Sequence, residues 1–275
     1  NVRPKKSAKL YKSIWTDQGS PLLAMSKNIL QSLKHTFSEN NRDITFDLGM
    51  RYGNPSIKEA LQRFKDKSIS KILVLPLYPQ AGSPTTSSTF DAVSSYLSTQ
   101  SWTPNLRFIS GYHDHKDYII SLSRSIKDSF SKNGKPDKLI FSYHGMPDRY
   151  LQEGDPYYCF CHKTTRLVAE KLNLDKDYYE MAFQSRFGYE KWLQPYLDDM
   201  IPEMAKNGVN HLQIISPGFS VDCLETLEEI NIQYRELFED NGGKKFNYIP
   251  CLNDSDNQLA MIKNLVLENI KGWYS

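Results

Sequence analysis

Short apolar runs alternate along this chain with longer stretches whose apolar residues recur every three or four positions. The runs have the composition of buried strands and the stretches the period of amphipathic helices. Their alternation predicts parallel strands joined by crossover helices. Strands are expected over 46–51, 71–78 and 106–110, and again over 138–143, 179–184, 211–216 and 246–250. Helices are expected over 26–37, 56–67, 116–132, 164–172, 192–207, 223–240 and 256–271. Each group of strands suits a small three-layer unit, because strands rich in Ile, Leu and Val need helices over both faces. The fold class is therefore α/β: two similar Rossmann-like lobes, each a parallel sheet flanked by helices, with a cleft between them. The break falls near 111–116, giving an N-terminal lobe over 1–112 and a C-terminal lobe over 113–254. The last helix, within 255–275, is expected to cross back and join the first lobe.

Length agrees with this division, since 275 residues at roughly 150 per domain make about two cores. Charge adds little. With 34 basic and 32 acidic residues the net charge is +2, which leaves no global footprint for nucleic acid, and Arg3-Pro4-Lys5-Lys6 reads as a solvated tail. No apolar run approaches the ~20 residues of a spanning helix, and the opening residues lack a secretory pattern, so the chain reads as soluble and cytoplasmic. Four cysteines, Cys159, Cys161, Cys223 and Cys251, do not resemble a disulfide framework, which fits a reducing compartment. The Ser/Thr-rich segment 83–89 reads as a loop after a strand. Gly82 is its one glycine and no Gly-Lys-Ser/Thr follows, which favours a solvated loop over a phosphate cradle.

Ligands of open parallel sheets bind past the carboxyl ends of the strands. Three segments with useful side chains stand there: Leu77-Tyr78-Pro79-Gln80, Ser142-Tyr143-His144-Gly145, and Ser216 to Ser220 leading into Val221 to Glu229. Ser220 is expected to cap a helix after Pro217-Gly218. Asp222, Glu225 and Glu229, three and four residues apart, would then share one helical face. First-turn acids complement the helix dipole, which accounts for Asp222 alone but not for Glu229. A carboxylate stripe with a cationic partner covers all three. His144 is the candidate companion. A lone histidine is more often structural, yet this one is carried by an apolar strand into a Gly-Met-Pro turn, where an imidazole adds nothing to a core. An imidazole facing carboxylates across a cleft suits a borderline divalent ion such as ferrous iron, and the same groups accept protons.

The segments "FSYHGMPDRY", "FQSRFGYEKWLQPY" and "SPGFSVDCLETLEEI", with "LYPQ" and "GMRYGNPS", resemble the bacterial protoporphyrin ferrochelatases. Matching segments run in family order from Ala8 to Leu252. The resemblance implies the chelatase-like fold of two α/β lobes and insertion of Fe²⁺ into protoporphyrin IX to form protohaem, the last step of haem synthesis. It places the catalytic and metal-binding histidine on His144 and the glutamate on Glu225, with Glu229 matching a further acid of the same helix. It places the porphyrin pocket on Tyr11 and Ser20, on Tyr78, on Gln184-Ser185-Arg186 and on Trp192. Two departures stand out: the family's usual opening strand and helix, with an "NLGTP"-like motif, has no counterpart here, and Lys12 and Ser13 stand where some relatives carry arginines.

On this reading His144 either accepts a pyrrole proton or holds the metal, Glu225 assists from across the pocket, and Asp222 and Glu229 form a polar route for protons or metal. No cofactor is expected beyond the substrate iron. Some relatives carry a [2Fe–2S] cluster, which needs four converging thiolates, and Cys223 beside Glu225 is awkwardly placed for one. Protoporphyrin IX and Fe²⁺ are the expected partners, with a peripheral membrane contact left open for delivery of an apolar substrate. The alternatives are a chelatase for another tetrapyrrole (coproporphyrin III or sirohydrochlorin) and a non-catalytic porphyrin or haem carrier. A two-lobed nucleotide-sugar transferase shares the gross architecture but gives no reason for His144 and the Glu225 stripe to coexist.

Overall fold

The computed structural model describes residues 12–17, 19–39 and 44–273. Helices α1 (Pro21–Glu39) and α2 (Ile57–Asp66) lead into strand β1 (Lys71–Val74), then α3 (Ser88–Leu97) and β2 (Asn105–Phe108). After α4 (Lys116–Asn133) come β3 (Lys138–His144), α5 (Asp148–Gln152), α6 (Tyr157–Leu172) and β4 (Tyr179–Gln184). The chain ends with α7 (Leu197–Lys206), β5 (His211–Ile215), a π-helical segment (Glu225–Tyr234) continued by α8 (Arg235–Asp240), β6 (Lys245–Ile249) and α9 (Asp256–Asn269).

All strand pairings in both sheets are parallel. Among the described residues one sheet is β1-β2 and the other runs β4-β3-β5-β6. Strand alternation divides the second lobe into layers. Leu139, Phe141 and Tyr143 of β3 join a core with α1, α4, α6 and α9. Ile140 faces the other way, into a core with Leu197 and Ile201 of α7 and with Ile230 and Phe238 of the π segment and α8. His144 has the parity of Ile140, so at the strand's end it faces the side covered by the π segment. A third, smaller core joins Leu61, Ile72, Val93 and Tyr96 beside β1.

Four expectations need correction. Residues 44–49 form no strand. There Asp47 accepts from its neighbour Leu48 N–H and from Arg63, and Met50 makes a lone bridge to Ser56, so side chains hold the segment in place of a ladder. Strand β1 stops at Val74, because Pro76 and Pro79 offer no N–H to a neighbour. The expected loop at 83–89 is a π turn, Ser83–Ser87, running into α3. Pro84 suits a first helical turn, and the Asp155 carboxylate accepts the Ser83 N–H at 2.6 Å. Finally, Trp192 precedes α7 and pairs instead with Pro147, since the helix begins only at Leu197, beyond Pro195.

Beyond α9, residues 271–273 return to β1 and β2. Arg107 donates to Lys271 O at 2.9 Å and lies 4.3 Å over the Trp273 ring, while Lys71 donates to Trp273 O. Among the described residues no helix is long and apolar enough to cross a membrane.

Candidate functional site

The three strand-end segments meet. Ser220 Oγ donates to Leu77 O at 3.0 Å and bonds the Tyr112 hydroxyl at 2.7 Å. The Tyr157 hydroxyl donates to His144 O, and its oxygen stands 3.7 Å from where a side chain on Gly218 would begin. Ser220 is thus a tie between the lobes and not a helix cap.

His144 Nδ1 lies 2.6 Å from the Gly145 carbonyl. A carbonyl only accepts, so in the neutral ring Nδ1 carries the proton and Nε2 presents its lone pair, the form that binds a metal ion or takes a proton. The next residue has room only for glycine: a Cβ there would meet Gln184 O at 2.8 Å and Trp192 Cε3 at 3.0 Å. Trp192 is buried, its indole N–H has no partner among the described residues, and Phe187 leans on it at 4.8 Å between centroids. Phe219 faces His144 at 6.4 Å between rings.

Across from His144 stands the π segment. Gln184, the register partner of His144, donates its amide to Glu225 O at 2.7 Å and to Glu229 Oε2 at 3.3 Å, and its own Oε1 accepts from Ser142. Burial raises the Glu229 carboxyl, while bonds from Ser185 and Gln184 and the nearby His144 pull it back down. Glu225 is half-buried beside Cys223, whose thiol is pushed up by burial and then by Glu225. Burial also raises Tyr78, helped by Tyr52, Cys223 and Glu225 and opposed by Arg51. His144, Glu225, Glu229, Tyr78 and Trp192 therefore share one neighbourhood.

Asp222 does not join the stripe. Its carboxylate accepts from the Tyr248 hydroxyl at 2.6 Å, Asn253 Nδ2 at 2.7 Å and Thr226 Oγ1 at 2.9 Å. The helical turns begin only after it, so the three-residue spacing to Glu225 does not align the two. Ser20 sits at the start of α1, where its Oγ accepts from Leu23 N–H. Arg186 is paired with Asp198 and Asp199 and stacked over Tyr196. Tyr11 lies outside the described residues. Cys161 is buried next to Tyr157, Cys159 is exposed on the same helix, and Cys223 and Cys251 lie by Asp222. Among the described residues no three His, Cys, Asp or Glu side chains group as a metal site.

Arg51, Tyr52 and Phe219 were not singled out from the sequence, although "GMRYGNPS" and "SPGFS" contain them. The one local signal is an aromatic residue after a glycine-flanked turn, too common to be decisive.

Residues 1–270 match the family model described as ferrochelatase. "Ferrochelatase 2" of Shewanella oneidensis is 51% identical over 265 residues, 96% of this chain and 81% of the relative. "Ferrochelatase" of Hydrogenovibrio crunogenus is 48% identical over 276 residues, 99% of this chain and 73% of the relative. The solved structure "SirB from Bacillus subtilis with Fe3+" superposes with a TM-score of 0.66 at 11% identity, covering 91% of this chain and 90% of that one, which is a likeness of fold.

Proposed function

Because the chain belongs to the ferrochelatase family, lyases that insert Fe²⁺ into a porphyrin in haem biosynthesis, we propose that His144 and Glu225 carry the insertion and that protoporphyrin IX is the porphyrin. The observation that carries this reading is the 2.6 Å contact of His144 Nδ1 with Gly145 O: with Nδ1–H held there, the neutral ring leaves its Nε2 lone pair for the face where Gln184 anchors Glu225.

Metallation breaks two pyrrole N–H bonds, forms four Fe–N bonds and releases two protons and the iron's waters. One proton goes to His144 Nε2, and Glu225 assists from the π segment by drawing the cation or taking the second proton. A flat macrocycle hides its nitrogen lone pairs, so a cleft that holds it bent favours the transition state over the substrate. Trp192, Tyr78 and Phe219 supply the apolar walls for such a grip. Ser20 and Arg186 stay candidates for the rim of this pocket, and Tyr11 belongs to the same proposal.

The aromatic residues flanking this neighbourhood favour the dicarboxylic protoporphyrin over the tetracarboxylic coproporphyrin. Tyr52 and Phe187 are exposed there, and Tyr189 is fully exposed on the same loop as Phe187. Such a rim also suits a peripheral membrane contact during substrate delivery. All four cysteines are free, in keeping with a cytoplasmic site of action. No resident cofactor enters the proposal.

The test is anaerobic incubation with Fe²⁺ and, separately, protoporphyrin IX, coproporphyrin III and sirohydrochlorin, followed by visible spectra. Protoporphyrin is expected to give the highest kcat/KM. Faster turnover of coproporphyrin would reassign the substrate, and binding without metallation of any of the three would make the protein a carrier.

A further inference from the structure

Ser185 stands directly after β4 with φ +64°, a left-handed conformation that a serine adopts only when its surroundings enforce it. What enforces it is Glu229. Its Oε1 accepts the Ser185 N–H at 2.8 Å and its Oε2 accepts the Ser185 hydroxyl at 2.5 Å. Tyr234 and Gln184 add donors at 3.2 and 3.3 Å. Four donors fill the acceptor sites of one carboxylate, so no lone pair remains for a travelling proton or cation unless a bond breaks.

The chain that leaves this clasp carries Phe187 and returns along the histidine's own turn. Asp148 N–H donates to Lys191 O and Leu193 N–H to Met146 O, both at 2.9 Å, while Gly145 N–H donates to Gln184 O at 2.8 Å. The residues between are exposed, from Arg186 to Lys191, and Trp192 then packs against Gly145. Both ends of the loop are therefore fixed beside the His144 end of the sheet; at the outgoing end Glu229 holds the Ser185 N–H and hydroxyl, and Arg186 next to it is paired with Asp198 and Asp199.

Resting on the ferrochelatase reading above, we infer that Glu229 is a positioning residue: it clasps Ser185 in the left-handed conformation and thereby sets the aromatic loop that walls the porphyrin site. The sequence alone suggests a proton or metal route for this acid, and the clasp replaces that role.

The two roles separate on substitution. A glutamine at this position keeps both bonds to Ser185, its oxygen accepting the Ser185 N–H and its NH₂ donating to the Ser185 oxygen; it gives up only the 3.3 Å bond from Gln184, whose amide still donates to Glu225 O, and it cannot hold a proton in transit. An alanine loses both bonds. Glycine adopts positive φ unaided, so Ser185→Gly removes the need for the clasp. In steady-state insertion of Fe²⁺ into protoporphyrin, with porphyrin affinity read independently by fluorescence quenching, Glu229→Ala is expected to raise KM and Kd about tenfold, the equivalent of ~1.4 kcal/mol, with kcat within about threefold. Glu229→Gln is expected within about threefold of wild type in all three constants and with an unshifted pH profile. Glu229→Ala/Ser185→Gly should bind porphyrin as Ser185→Gly does. A Glu229→Gln variant that loses kcat tenfold or more with KM unmoved, or a double variant no better than Glu229→Ala, overturns the inference. If Glu229→Ala does not fold, the glutamine variant's kcat and KM decide alone. A wild type that binds porphyrin but inserts no iron would sink the catalytic reading instead, and the affinity arm would still decide the clasp.

Discussion

His144 and Gly145 form one functional pair, because the glycine's carbonyl sets the imidazole tautomer and its missing side chain lets Trp192 and β4 close on the turn. Gly145→Ala must displace Gln184 O or Trp192, an overpacking that costs about 1–3 kcal/mol and moves His144. Thermal denaturation should show the lower midpoint. kcat should fall at least about tenfold, since small misplacements of reacting groups are costly. Asp222 makes the opposite case. As an acceptor for Tyr248, Asn253 and Thr226 it holds a buried corner together, so Asp222→Ala should cost roughly 3 kcal/mol in urea unfolding. The folded fraction should keep its kcat within about threefold; loss of turnover without loss of stability would restore Asp222 to the chemistry.

At the scale of elements, Asp155 starts two helices at once: Oδ2 accepts the Ser83 N–H at 2.6 Å and Oδ1 the Tyr157 N–H at 2.9 Å. Asp155→Ala should cost about 1–2 kcal/mol per lost cap, and amide exchange should quicken first over Ser83–Ser87. That partner lies about 70 residues away in the chain, which explains why 83–89 reads as a loop from its Ser and Thr content. The second sheet's strands were legible because each carries a short apolar stretch, buried on both sides in the central β3 and β5, and β3 to β6 fall where the pattern puts them. The stretch 46–51 has the same look but is held by Asp47 and Arg63, a tertiary contact no local pattern announces. For the proposed site, the placing of His144 at a strand's end and of Glu225 on a helical segment could be read directly. The π winding over Glu225–Tyr234 could not, because the helix starts four residues later than Ser220 suggests and its side-chain ties reach other elements.

Across the whole molecule, residues 269–273 act as a strap from α9 onto the small sheet. Arg107→Ala removes its bonds to Asn269 O and Lys271 O and the stack on Trp273, and should lower stability by about 1–2 kcal/mol in urea unfolding. Acid should weaken the fold in two stages. Burial depresses His113 and His162 below their ordinary 6.5, so the unfolded chain takes up those protons first, and stability present above that pH is lost as it falls. Asp114, drawn down by its bond from Lys163, and Asp137, drawn down by the His211 and Asn210 N–H groups, add a loss below 3.8. Denaturation midpoints from pH 8 to 3 would show both steps, and His113→Phe should flatten the first. The central claim is that the Nε2 lone pair of His144 takes part in ferrous insertion. Its most direct measurement is anaerobic loss of protoporphyrin fluorescence on adding Fe²⁺, comparing wild type with His144→Ala at equal folded concentration. The account predicts metallation by the wild type and a drop of at least about a hundredfold in the variant, whose porphyrin affinity stays within about threefold; insertion by His144→Ala at the wild-type rate would contradict it.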